Sequence, residues 1–288
     1  MSTLRLILKP ALFTVGVGGT CFCAAAIAQY ENRQPRFSKH KPTQIIIQDW
    51  VIRQQRRTDD LHGKLLEIRR KVNAWRNELS TGNKIAYTTI AANLVVLGAW
   101  RVPRLRSVMN KYFLSHINTK KIAISPMILS CFSHSSPLHF TFNMFALYSF
   151  SNIATALLGP EQLIALFISA GTISSLTSMT FRLATKRFTP SLGASGAILG
   201  VVAYVCICRP ETNLLLFFIP IAAGNAIKAL MVFDTVGLLA RWSFIDHAGH
   251  LGGSCFGVWY AMYGEKLFYQ YRKPIIEEWI KLRTKFKD

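Results

Sequence analysis

Ser195 stands in the run Gly193-Ala194-Ser195-Gly196-Ala197, at the head of an apolar stretch. His250 lies far down the chain in another apolar stretch, followed by Gly253 and Gly257. A third stretch carries His139 and, four residues on, Asn143. Serine is a poor nucleophile until a neighbouring base takes its proton, and imidazole is the side chain most often used for that task. The chemistry open to this set is acyl transfer. Ser195 would attack a carbonyl carbon, His250 would take and return the proton, and nearby donors would hold the negative oxygen that forms. His139 and Asn143 share a helix face at a spacing of four, so both can supply donors, with the Ser195 backbone N–H as a third. His134, five residues before His139, belongs with the same polar pocket.

Each of these residues also has a plainer reading. Gly196 and Gly200 form the small-xxx-small pattern that lets membrane helices approach closely, and a serine beside them can be packing alone. The run misses the Gly-x-Ser-x-Gly elbow of soluble hydrolases, because position 197 is alanine. His139 with Asn143 can be a polar clamp between helices. The combination favours chemistry. Gly249, Gly253 and Gly257 recur every fourth residue, with His250 on roughly that face. If this face meets the glycine face of the Ser195 helix, the imidazole can reach the hydroxyl. A histidine within a membrane span is costly and marks a functional site by default. His247, one turn earlier, competes for the role and reads as an interfacial histidine behind Asp246, the expected N-cap. A triad using Asp246 is geometrically conceivable, but a two-residue dyad is preferred. Lys228 is expected to snorkel or to pair with Asp234, and receives no chemistry.

The elements that must position these groups are membrane helices. The chain has 288 residues, 51% hydrophobic and 17% charged. Its repeated apolar stretches approach the roughly 20 residues that span a bilayer. Only helices or closed barrels satisfy their backbone in lipid, and the alternation that marks a barrel is absent. The expected fold class is therefore an all-α polytopic membrane protein. Ala11 to Ala28 reads as a first span within an acid-free, import-like segment, residues 1–30. Residues 31–83 form a basic linker. Within it Leu61, Leu65, Ile68, Val72, Trp75 and Leu79 make one apolar seam on an amphipathic helix. Six spans follow near 84–100, 138–158, 161–182, 194–209, 212–232 and 245–263, with Pro220 kinking the fifth. The connection 101–126 holds a short amphipathic helix, and residues 266–288 form a basic tail. The net charge of +20 sits in connections and at the ends of apolar runs, a pattern for lipid contact and topology rather than for nucleic acid. The six cysteines have no metal-ligand spacing and read as free packing residues. No metal or other cofactor is expected.

Taken together, the three motifs resemble the rhomboid intramembrane serine proteases. That family carries His-x-x-x-Asn in the second core span, Gly-x-Ser-Gly opening the fourth, and (Ala/Gly)-His-x-x-Gly-x-x-x-Gly in the sixth. Here the residues are His139 to Asn143, Gly193-Ala-Ser195-Gly196, and Gly249-His250 with Gly253 and Gly257. The resemblance covers about residues 84–265. It is closer to a mitochondrial branch through Trp100-Arg-Val-Pro103, Pro190 to Ile198, Ala223-Gly-Asn-Ala226 and Asp246 to Gly253. The resemblance implies one helix before a six-helix core (1+6). It implies a dyad of Ser195 and His250, with His139, Asn143 and the Ser195 N–H at the oxyanion and the five glycines 193, 196, 200, 253 and 257 packing near it. It further implies single-pass membrane proteins as substrates in the mitochondrial inner membrane. It also chooses between the histidines: glycines fall three and seven residues after His250, whereas His250 itself falls three after His247. One departure is Leu199, where bacterial relatives place an aromatic against the catalytic ring, so the imidazole must be held by other neighbours. The rival functions are an inactive rhomboid-like scaffold, which characteristically loses the serine or the histidine, and a transporter, which would want paired mid-membrane charges or an internal repeat.

Overall fold

A computed structural model describes residues 3–34, 60–117, 123–134, 136–216 and 219–286. Spatial proximity divides the chain into two compact units, Met1–Tyr30 with Thr81–Asp288, and Glu31–Ser80. In the smaller unit, α2 (Asp60–Glu78) carries the apolar seam, with Leu65, Ile68, Val72 and Trp75 about half exposed. Leu79 follows its last turn, and the side chain of Leu61 lies outside the described residues.

The larger unit is built around one helix. α8 (Ser195–Cys208) is apolar on every side, and residues Gly196 to Val205, apart from Leu199, are buried. A helix hydrophobic all round belongs in an interior. Around it pack α6 (Pro137–Leu158), α7 (Pro160–Ala184), α9 (Ala223–Leu239) and α10 (His247–Trp259). α3 (Thr81–Ala99) packs on α6. Gly82 lets the two come close, since a β-carbon there would lie 2.7 Å from the Asn152 Cα. α1 (Thr3–Arg33) carries Phe22, which stacks on Tyr260 at 4.9 Å. Among the described residues, Leu6–Arg33 and Pro160–Ala184 are long and apolar enough to cross a membrane. α3 and the segment Pro103–Tyr112 pass the same test together, but bend by 98° between them. That bend, where Val102 and Leu105 are exposed, leads into α4 (Arg106–Tyr112), whose Val108 is exposed and Met109 buried. A one-turn helix, α5 (Pro126–Leu129), precedes α6.

Two expectations change. The fifth span does not begin at 212. Residues Asn213–Leu216 and Ile219–Ala222 form an antiparallel hairpin, β1 and β2, with Leu215 opposite Pro220. Pro220 therefore kinks no helix. It has no N–H to donate and is tolerated on an edge strand. The Ala223 and Gly224 N–H groups bond back to Thr212 and Pro210 at 2.8 and 3.0 Å, and α9 starts there and runs to Leu239. The polar tail is helical as well. α10 passes through a π-helical turn, Tyr260–Gly264, into α11 (Glu265–Lys285), which buries Phe268 against Ala25, Ala26 and Ala165.

Candidate active site

Ser195 is the first residue of α8, so its N–H is one of the donors a helix leaves without an internal partner. The chain reaches it through Gly193, whose φ of 136° lies where side chains are strained. The Gly193 N–H donates to the Ser130 carbonyl at 3.0 Å. A β-carbon at Gly193 would stand 2.9 Å from His139 Cε1, so only glycine lets that ring lie beside the serine loop. Upstream, Ser191 and Ser115 exchange backbone bonds at 2.9 and 3.1 Å. The buried Arg182 reaches the Ser115 carbonyl at 3.1 Å and the Thr189 carbonyl at 2.6 Å. The approach to the serine is thus tied down on both sides.

The helix bearing the base is set by its cap and its glycines. Asp246 caps α10, accepting the Gly249 N–H at 3.0 Å and the hydroxyl of Ser178. The two glycine faces meet backbone to backbone. A β-carbon at Gly253 would run into the Gly196 carbonyl, and one at Gly257 into the Gly200 carbonyl. One at Gly200 would sit 3.1 Å from the Gly253 carbonyl. At this separation His250 Nε2 lies 2.8 Å from Ser195 Oγ.

The other imidazole nitrogen is also engaged. His250 Nδ1 lies 3.2 Å from Oδ1 of Asp234, a carboxylate on α9 whose side chain is 4% exposed. The same oxygen is 2.7 Å from His247 Nδ1. Two sequence expectations give way here, and of the two offered for Lys228 the pairing with Asp234 is not the one found. Serine and histidine do not stand as a bare pair, because a buried carboxylate adjoins the histidine. Asp234 meets the two histidines, while Lys228 is exposed. His247 is buried, not interfacial, and rings of Phe233, Trp242 and Phe244 surround it at 5.6, 5.9 and 5.6 Å. Asp234 had a legible signal, since an acid in a membrane helix is costly unless partnered. Placing the fifth span at 212–232 moved Asp234 past its end and hid that signal. Leu199 supplies no aromatic face to the ring, and Asp234 is the polar partner at its second nitrogen.

The proposed oxyanion donor His139 lies beside His134, ring centroids 5.1 Å apart, in the one polar pocket expected for both. The His139 N–H donates to Ser136 Oγ at 3.2 Å, capping α6. Asn143 is buried, and its Nδ2 donates to the His139 carbonyl at 3.0 Å, using one of two amide protons. Among the described residues no three His, Cys, Asp or Glu side chains gather as metal ligands.

Comparison with known proteins bears on this arrangement. The Rhomboid domain matches residues 123–266, which contain Ser195, His250, Asp234, His247, His139 and Asn143. The mitochondrial presenilin-associated rhomboid-like protein of Homo sapiens is 43% identical over 286 residues, 98% of this chain and 73% of that protein. The chain belongs to the rhomboid family. Rhomboids are in general intramembrane serine proteases, and this member is an all-α polytopic membrane protein. Presenilin-associated rhomboid-like protein A, mitochondrial, of Danio rerio is 40% identical, covering 96% of this chain and 75% of that protein. The mitochondrial Rhomboid protein 1 of Saccharomyces cerevisiae is 35% identical over 188 residues, 63% of this chain and 54% of that protein.

Proposed function

We propose that this rhomboid is an intramembrane serine protease of the mitochondrial inner membrane that cleaves single-span membrane proteins at or near their spans. The observation that carries the reading is the 2.8 Å contact of Ser195 Oγ with His250 Nε2, between helices brought together by glycine. The mitochondrial assignment rests on the names of the relatives. The 1+6 arrangement and its multi-pass insertion belong to the same proposal.

For His250 to accept the serine proton at Nε2, its own proton must sit on Nδ1, and Asp234 Oδ1 is there to accept it. As Oγ bonds to the substrate carbonyl carbon, the proton passes to Nε2, and the imidazolium lies against the carboxylate. The carbonyl oxygen becomes an anion at the start of α8, where an unpaired N–H and the positive end of the helix dipole favour it. His139 and the second amide proton of Asn143 are the further donors. Collapse expels the amine, which takes the proton from His250. Water, deprotonated by the same nitrogen, then frees the acyl group from Ser195.

The test is cleavage of a single-span substrate by purified protein in liposomes. Activity present in the parent and absent in Ser195→Ala and His250→Ala supports the protease. Parent protein that is folded yet holds the substrate uncut would instead favour the scaffold reading, and solute flux without cleavage a transporter.

A further inference from the structure

The candidate mechanism leaves unused a buried ionisable group that stands beside its base. His247 is on the first turn of α10, one turn before His250, and its side chain is 2% exposed. The fold makes room for it. A β-carbon at Gly237 on α9 would overlap its ring, while Phe233, Trp242 and Phe244 enclose it. Among the described residues its Nε2 has no hydrogen-bond partner, and its polar contact is the 2.7 Å bond from Nδ1 to Asp234 Oδ1. A carboxylate oxygen accepts only, so the His247 proton facing it sits on Nδ1 and is donated to Asp234.

We propose that His247 is a positioning residue for the reaction. It clamps Asp234 so that the carboxylate's Oδ1 faces His250 Nδ1 in the tautomer that leaves Nε2 free for the serine proton. The inference rests on the protease reading above. Two features support it. The His247 bond is the shorter of the two onto Oδ1, 2.7 against 3.2 Å, so His247 is the firmer anchor and His250 the partner it serves. In addition, Asp234 and His250 lie on different helices, α9 and α10, whereas His247 shares α10 with His250. The clamp therefore fixes the carboxylate in the frame of the helix that carries the base. Misplacing a catalytic group by about 1 Å can cost about 10²-fold in rate, and a loosened carboxylate is a milder fault.

The test compares His247→Ala, His247→Asn and His247→Gln in reconstituted protein, reading kcat, KM and thermal melting with a single-span substrate. Asparagine places an amide N–H close to the former Nδ1; glutamine carries it one bond further out. The expected results are a loss of about tenfold in kcat for alanine and glutamine, with KM unchanged, and recovery to within about threefold of the parent for asparagine. Because His247 acts through Asp234, His247→Ala should cost nothing further in an Asp234→Ala background. Should alanine fail to fold, glutamine against asparagine decides the matter: both lose the ring, and the larger glutamine keeps more of its packing, so a rescue by asparagine alone is not a packing effect. Parental kcat in a folded alanine variant, or equal losses for asparagine and glutamine, would overturn the clamp. Absence of Ser195-dependent cleavage in the parent would instead remove the protease reading on which the clamp stands.

Discussion

A polar cluster lies at each end of the paired helices α8 and α10. At one end are Ser195, His250, Asp234 and His247. At the other, nine to ten residues on and so about 14 Å away along each axis, Tyr204 donates to Glu265 Oε2 at 2.8 Å and Tyr260 to Gln162 Oε1 at 2.7 Å. Both clusters tie distant segments together, and both depend on hydrogen bonding to offset burial. They differ in access and in reactivity. Tyr204, Tyr260 and Gln162 are sealed, at 1%, 2% and 0% exposure, with Glu265 half-buried at the edge. His250 keeps 15% of its side chain open, Ser195 is only half-buried, and the N–H beside it has no helical partner. The sealed cluster sets tyrosine donors on carboxylate and amide acceptors and pairs no nucleophile with a base. The open one pairs a nucleophile with a base and leaves a donor over. Buried polarity by itself does not mark a site; a reactive pair with an opening does.

Substitutions at the two ends should therefore separate activity from stability. Ser195→Ala is expected to lower cleavage by at least about 10⁴-fold with an unchanged melting temperature, because the serine's loss removes the whole covalent route. Asp234→Asn keeps the shape but supplies a donor where an acceptor is needed, and should lower kcat about 10³-fold in the same liposome assay. Asn143→Ala removes one oxyanion donor and should cost about 10²-fold in kcat with little change in KM. Tyr260→Phe, at the sealed end, should cost about 1 kcal/mol of stability through its lost bond to Gln162. Its activity should stay within about twofold of the parent. A Tyr260→Phe enzyme with a hundredfold loss would show the ends to be coupled and the contrast false.

Much of the open end was legible in the residues. The glycine faces of Gly196 with Gly200 and Gly253 with Gly257 predicted a close approach, since only glycines allow backbones to touch. That approach brings the hydroxyl and imidazole together. Asp246 was legible as a cap from its place before an apolar helix. Asp234 was not, because its meaning depends on where α9 begins. The run Leu214 to Ile221 is apolar enough for either a span or a strand, and periodicity does not separate these for short apolar runs. Pro220 was the available signal. A proline that reads as a kink in a helix is equally a stop that pushes the helix past it, and here the backbone bonds to Thr212 and Pro210 select the second. The sealed end was illegible for another reason: Glu265 and Gln162 meet their tyrosines only through tertiary packing, which no local spacing encodes.

The most direct measurement is covalent labelling of the purified protein in detergent or liposomes with a fluorophosphonate, followed by peptide mapping. Such a reagent reports a serine made nucleophilic by its surroundings. The expected result is one adduct, on Ser195, lost in His250→Ala and strongly slowed in Asp234→Asn. No adduct on a folded protein, or an adduct on Ser195 that forms as fast without the imidazole at 250, would contradict the paired chemistry.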